Sequence, residues 1–309
     1  MQNSQSSSVL SLATLSPIIF VLIWSSGFVF AKFALPYAET FTLLATRFAL
    51  VVAIMLPVAL LTRAKWPGSW KETFHIAVAG MLLQAGYLGG VFAAIEQGLQ
   101  AGATALIVGT QPLLVAFFAR FFLNETVSFR QWTGLFVGVT GVILVVWTKL
   151  MSGLGTTEGI ILALIALVTI SAGTLYQKKY CGTMDLRSGS VIQYAASVLV
   201  CAPIAYATET MVIVWSSDFI LGMAWLVLAL SVGAITILFV LIRQGEASRV
   251  SSLFFMVPPT AALFAWLWFD ETFGPMAMVG MVLTALGVAL VTLKGRSQIR
   301  DSKTAEAKG

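Results

Sequence analysis

Polar and aromatic side chains that lie inside long apolar stretches carry the chemistry of this sequence: Trp24, Arg47, Gln84, Tyr87, Gln111, Tyr176, Gln177, Gln193 and Tyr194. Arg47 is the sharpest signal. A guanidinium at the centre of an apolar helix costs about 2.5–3.5 kcal/mol on insertion scales, so it needs a wet cavity or a partner. Leu43 and Val51, one helical turn to either side, can supply neither. Its planar fork suits a carboxylate or phosphate; the competing reading is that it snorkels to the outer surface or bonds backbone carbonyls. The Gln and Tyr residues, together with Trp24, have the makings of an apolar cavity with a few orienting hydrogen bonds. Read one at a time, each serves as well to tie helices together. Tyr176 and Gln177 fit the cavity least, since they approach one end of their stretch.

A second set could move rather than bind. Pro57, Pro112, Pro203, Pro258 and Pro259 all fall within apolar stretches, where proline removes a backbone donor and frees the carbonyl four residues earlier. Paired kinks at Pro112 and Pro258 would make hinges; the alternative is static kinks that only improve packing. Glu125 and Glu271 read as helix-end or loop-capping carboxylates at the lipid boundary, with a gating role as the weaker reading, and His75, the one histidine, as an interfacial residue rather than a proton relay.

What is missing narrows the chemistry. No Asp or Glu lies deep in an apolar stretch to take up a proton. There is no GxxxxGK[ST], HExxH or GxSxG pattern, so nucleotide hydrolysis and the familiar hydrolase chemistries lack their residues. Cys181 and Cys201 form neither a disulfide framework nor a metal-ligand spacing. The expectation is a protein that is not an enzyme, with no cofactor and no metal.

The elements that must position these residues are membrane helices. Of 309 residues 59% are hydrophobic and 10% charged, and the mean hydropathy is +0.93, too apolar for a water-exposed globule. Stretches of about 20 apolar residues match a hydrocarbon core of about 30 Å. Ten are expected, near 17–35, 40–61, 73–94, 101–122, 129–148, 158–177, 189–207, 219–241, 248–269 and 275–293. The start, 1–16, lacks the basic flank of a secretory signal, so the first span is expected to be retained. Trp66, Trp70, Trp132, Trp147, Trp215 and Trp268 fall at span ends as headgroup anchors.

Ten crossings bring both termini to one side, and fifteen of the eighteen Lys and Arg residues fall in the loops and tail of that side. Glu39, Glu96, Glu158, Glu209, Asp218, Asp270 and Glu271 fall on the other. Lys and Arg in short loops mark the cytoplasmic side, so both termini are expected there, in a multi-pass protein of the inner membrane. The net charge of +5 sets orientation and implies no nucleic-acid partner.

The chain also superposes on itself at an offset of 146. Ser25 and Gly27 fall on Ser171 and Gly173, Lys32 on Lys178, Pro57 on Pro203, Pro112 on Pro258, Glu125-Thr126 on Glu271-Thr272, and Gly134 and Gly141 on Gly280 and Gly287. Gln97-Gly98 meets Gln244-Gly245 with one extra residue. Five helices per copy is an odd number, so the second copy must be inverted in the membrane. Inverted copies offer two nearly equivalent packings, one open to each side, as alternating access requires. Arg47 falls on Gln193, so any anion site is one-sided.

Each half carries a Pro followed thirteen residues later by Glu (Pro112 to Glu125, Pro258 to Glu271) and then a Gly-spaced apolar helix. In this the chain resembles the EamA-type repeats of the drug/metabolite transporter superfamily, from about Pro17 to Lys294. The resemblance implies an all-α membrane protein, ten transmembrane helices as two inverted five-helix repeats around a central cavity, with the fifth and tenth helices packed outside. The expected organisation is a cytoplasmic segment 1–16, a first repeat 17–148, a second repeat 157–294 and a basic cytoplasmic tail 295–309. The expected function is secondary transport or export of a small organic metabolite, amino-acid-like and aromatic or amphipathic, by alternating access. A nucleotide-sugar or sugar-phosphate carrier is the alternative, though phosphate calls for more than one buried cation; a lipid-modifying membrane enzyme would need paired acid/base residues that are not found. The expected partners are the small-molecule substrate and the bilayer. Gly134 and Gly138 form a GxxxG spacing that suits packing within the chain or, as the weaker reading, a homodimer face.

Overall fold

With no water to hydrogen-bond it, a backbone in apolar surroundings must satisfy its own N–H and C=O groups, and a helix does so within one segment. The computed structural model describes residues 4–123, 128–151, 156–234, 237 and 256–292. Its elements are helices: α1 Ser4–Ala34, α2 Thr40–Leu61, α3 Trp70–Glu96, α4 Ala101–Val108, α5 Gln111–Leu123, α6 Phe129–Met151, α7 Thr157–Tyr180, α8 Leu186–Thr208, α9 Ser217–Ala234, α10 Val257–Phe269 and α11 Pro275–Thr292. Six stretches are long and apolar enough to cross a membrane: Ile18–Tyr37, α2, α3, α7, α8 and α9; shorter apolar helices make up the rest. Glu125, Gln244-Gly245, Arg243, Arg249, the carbonyls of Phe254 and Phe255, the stretch 248–255 and the basic tail lie outside the described residues.

Helix starts follow local chemistry. Side-chain oxygens of Ser69, Thr156, Asp185 and Ser216 accept the N–H of Glu72, Gly159, Arg187 and Phe219 at the starts of α3, α7, α8 and α9. The first apolar span begins at Ile18, close to the expected 17, while its helix α1 runs back to Ser4, because hydropathy marks where a span enters lipid and no Gly or Pro before Pro17 forces a helix to end. One expectation needs correction. The expected helix 101–122 is two pieces separated at Gly109–Thr110, just ahead of Pro112. Proline cannot donate to the preceding turn. The break is closed instead by Thr110, whose N–H and hydroxyl both donate to Ile107 C=O.

Side chains sort opposite to the pattern of a soluble protein. On α7, Ala163, Ala166, Leu167 and Ile170 face inward, while Ile161, Leu164, Ile165 and Val168 form an exposed stripe at helical spacing. Most of the expected headgroup anchors, including Trp66, Trp70, Trp147, Trp215 and Trp268, are exposed.

Helix α2 packs on α8, α3 on α7, α1 on α9 and α10, α4 on α10, and α6 along α11. The last contact uses the glycines. A Cβ on Gly141 would meet Gly280 C=O at 2.5 Å, and one on Gly280 would meet Gly141 C=O at 2.6 Å; Gly287 approaches Gly138 N–H and Gly134 C=O equally closely. The GxxxG face is therefore covered by α11 of the same chain, which removes it as a dimer face.

Loops at the two ends of the bundle interlock differently. At the acidic end Glu209 accepts from Phe41 N–H, Thr42 N–H and the Thr42 hydroxyl, all at 2.7 Å, capping α2, while Glu39 accepts from Thr210 N–H and hydroxyl. At the basic end Asp185 accepts from Lys65 N–H and pairs with Arg187, whose guanidinium also donates to Thr62 C=O.

Candidate functional site

Arg47 sits on α2 in the middle of the bundle and is only 4% exposed, so it does not snorkel. Its Nε and Nη2 both donate to Ser231 Oγ on α9, at 3.3 and 3.0 Å. No carboxylate pairs with it among the described residues. The Ser231 hydroxyl in turn donates to Leu226 C=O, five residues back, inside the π-helical segment Trp225–Ala234. The wider turn of a π-helix lets a side chain leave the regular helical spacing, and such segments often mark functional sites.

The other midpoint residues gather round this pair. Tyr87 and Tyr194 are close enough to Arg47 to act on it electrostatically, and the Tyr194 hydroxyl neighbours Ser231 and Gln84. Gln84 lies in a second π-helical segment, Met81–Gly86 of α3. Phe48, next to Arg47, packs its ring 5.6 Å from that of Tyr194.

Tyr87 also lines a small cavity of about 30 Å³ beside the cluster. Trp24 and Phe28 of α1, Ile170 of α7, Val257 of α10, and Gln111 and Pro112 form much of its wall. That space holds about one water. Gln111 is held in place by donating to the Thr174 hydroxyl at 2.8 Å.

Of the expected binding residues, then, Trp24, Tyr87 and Gln111 line the cavity, and Arg47, Gln84 and Tyr194 form the adjoining polar cluster. The remaining three are engaged elsewhere. Gln193 donates to Gln177 at 2.9 Å. Tyr176 bonds His75 Nδ1 at 2.7 Å, and the imidazole stacks on Tyr180 with ring centres 4.5 Å apart. This aromatic group lies toward the basic end, away from the cavity.

The prolines divide likewise. Pro57 and Pro203 are inside α2 and α8. Pro112 follows the α4–α5 break, and Pro258 and Pro259 begin α10. The two proline sites meet: Gly109 lies directly against the Pro258 ring, and a Cβ there would overlap it. Ser25 donates to Val257 C=O at 3.3 Å beside this crossing.

Glu271 caps a helix end, as expected, but it does so from a buried position, and its carboxylate also pairs with Lys32 Nζ at 2.7 Å. The same carboxylate accepts from Ala101 and Gly102 N–H, at 3.1 and 3.2 Å, capping α4 where the helix dipole favours an anion. Asp270, in a left-handed conformation at φ 52°, ends α10 and turns the next residue inward. Sequence reasoning missed this pairing, and it also missed Ser231; the available signal for Ser231 was a lone hydroxyl in the middle of an apolar run.

The model of the EamA-like transporter family matches residues 11–147 and again 157–293, the spacing at which the sequence superposes on itself. The chain belongs to the EamA-like transporter family. It is similar to the transporter YvbV of Bacillus subtilis, 26% identical over 90% of each chain. It is also similar to the inner membrane transporter YedA of Escherichia coli, 26% identical over 88% of each. A chloroplastic WAT1-related protein of Arabidopsis thaliana is 24% identical over 90% of this chain and 68% of its own. A crystal structure of a protein 18% identical aligns over 93% of this chain and 99% of its own with a TM-score of 0.65, a likeness of fold alone. As an EamA-like transporter, the chain is a multi-pass membrane transporter, and its central cluster is the candidate solute site.

Proposed function

We propose that this EamA-like transporter is a secondary carrier that exports a small aromatic or amphipathic metabolite of about amino-acid size across the inner membrane by alternating access. Ten spans in two inverted repeats, with both termini cytoplasmic, form the frame of this reading. The observation that carries it is the pairing of like with like. The second helices of the two halves pack together (α2 and α8), as do the fifth (α6 and α11), and Gly109 before Pro112 crosses Pro258, the residue that matches Pro112 at the repeat offset. Two halves related in this way have two equivalent ways to tilt against each other, which is what a rocking carrier needs.

In this scheme the crossing of the two proline sites is the pivot, since a helix already broken, as the first is at Gly109–Thr110, can change angle without losing backbone hydrogen bonds. The cavity bounded by Trp24, Tyr87 and Gln111 is the closed form of the solute site. The Lys32–Glu271 pair, tying α1 to the start of α4, closes the acidic end. Opening that end requires the pair to separate.

The test is counterflow in proteoliposomes loaded with unlabelled solutes. The expected result is saturable, trans-stimulated uptake of at least one labelled solute. Flux that rises linearly with concentration and shows no trans-stimulation would indicate a pore and overturn the reading.

A further inference from the structure

We infer that the Arg47–Ser231 pair is an anion socket, and that the transported solute is a net monoanionic organic carboxylate with an apolar body. The inference rests on the carrier reading above and narrows it. Buried charges in proteins are paired, because an unpaired ion forfeits its hydration. Arg47 breaks this rule: a guanidinium 4% exposed with a single neutral hydroxyl as its hydrogen-bond partner among the described residues. Of its five N–H groups, Ser231 engages one on Nε and one on Nη2, so the outer edge of the fork remains for a ligand. Arginine does not shed its proton to relieve the cost. A bound carboxylate relieves it by two parallel charge-assisted bonds.

Three observations specify the ligand. Among the described residues only one cation, Arg47, stands in the cluster, which matches one negative charge better than the two of a phosphate monoester. The neighbouring space, which Tyr87 also lines, is walled by Trp24, Phe28, Ile170 and Val257, so the rest of the ligand is apolar or aromatic. Among the described residues the titratable groups close enough to act on Arg47 are Tyr194 and Tyr87, and no Asp or Glu is among them to receive an ammonium. A zwitterion would bury its cation without a counter-charge. The arrangement therefore favours an organic acid over the corresponding amino acid.

The experiment uses the full-length protein, first in detergent for ligand-dependent thermal shift and then in proteoliposomes for counterflow. The probes are 3-phenylpropionate, its amide, L-phenylalanine, L-phenylalaninamide and phenyl phosphate, with aliphatic acid and amide pairs alongside. The expected order is 3-phenylpropionate tightest, L-phenylalanine and phenyl phosphate weaker, and each amide at least about tenfold weaker than its acid. R47Q should abolish the preference for acid over amide; S231A should keep the preference and lower acid affinity several-fold. Should R47Q fail to fold, R47K serves instead, keeping the charge but losing the fork, with acid binding reduced and amide binding unchanged. Amides that bind as well as acids, or an R47Q variant that still prefers acids, would overturn the socket. Tighter binding of phenylalanine than of phenylpropionate would overturn the monoanion assignment. If an amine or sugar shows saturable counterflow while no carboxylate does, the socket is wrong and the carrier stands; if no solute shows it, the carrier reading itself fails.

Discussion

Replacing Glu271 by Gln keeps the shape of the side chain and removes its charge, so it isolates what the carboxylate contributes. Glu271 makes three charge-assisted hydrogen bonds, to Lys32 Nζ at 2.7 Å and to Ala101 and Gly102 N–H at 3.1 and 3.2 Å. Fully buried bonds of this kind contribute about 1.5–3 kcal/mol each. Two corrections reduce the total. The Lys32 side chain is 33% exposed and can recover hydration, which limits its share to about 1 kcal/mol. Gln retains one carbonyl oxygen for one backbone N–H, so the weakened helix cap costs about 1 kcal/mol. E271Q should therefore lose about 2 kcal/mol, lowering the melting temperature in detergent by roughly 3 °C. A cycle of wild type, K32Q, E271Q and the double variant should give a coupling of about 1 kcal/mol. Unchanged melting of E271Q, or losses in the two single variants that simply add, would refute the assignment of Glu271 as both ion-pair partner and cap.

Three more outcomes are expected. The Arg187 guanidinium, with help from the N–H groups of Arg187 and Lys65, holds the Asp185 carboxyl well below the usual carboxylate range against the opposing effect of burial. Its stabilisation is present above the unfolded value of about 3.9 and is lost as pH falls below it, so D185N should flatten the acid limb of the melting curve between about pH 4 and 2; an acid limb identical to wild type would contradict this. G141V places new atoms against Gly280 C=O, already 2.5 Å from a Cβ, and should cost about 1–3 kcal/mol by parting α6 from α11, read as a lowered melting temperature. Burial raises the Cys181 thiol above its ordinary range, so in a C201S background it should react slowly with maleimide at pH 7 and rapidly once denatured; surface-like labelling of the folded protein would contradict that burial.

Much of the architecture was legible because lipid imposes a simple rule on sequence. The range 40–61 for α2 agrees with the structure, and starts such as Ala101, Phe129 and Pro275 agree as well, since Gly, Pro and charged loops interrupt otherwise unbroken hydropathy. The break at Gly109–Thr110 escaped hydropathy because both flanking pieces are apolar; Pro112 marked the place without saying whether the helix bends or separates. The start of α1 at Ser4 escaped for the converse reason, as polar residues outside lipid can still be helical.

The site divides along the same line. Composition alone made Arg47, Gln84, Tyr87, Gln111 and Tyr194 conspicuous, because a polar group in an apolar run has a cost that something must offset. It could not supply their partners. Ser231 is 184 residues from Arg47 and Glu271 is 239 from Lys32, and no local spacing encodes contacts between helices that distant. Nor could it separate Tyr176, bonded to His75, from Tyr87 beside the cavity. The sequence determined which segments are apolar helices and which residues need an explanation, since both follow from transfer of single side chains out of water. Which side chains meet was decided only by tertiary packing, because that depends on how close backbones come at residues such as Gly109 and Gly141 and on how each helix is rotated against its neighbours.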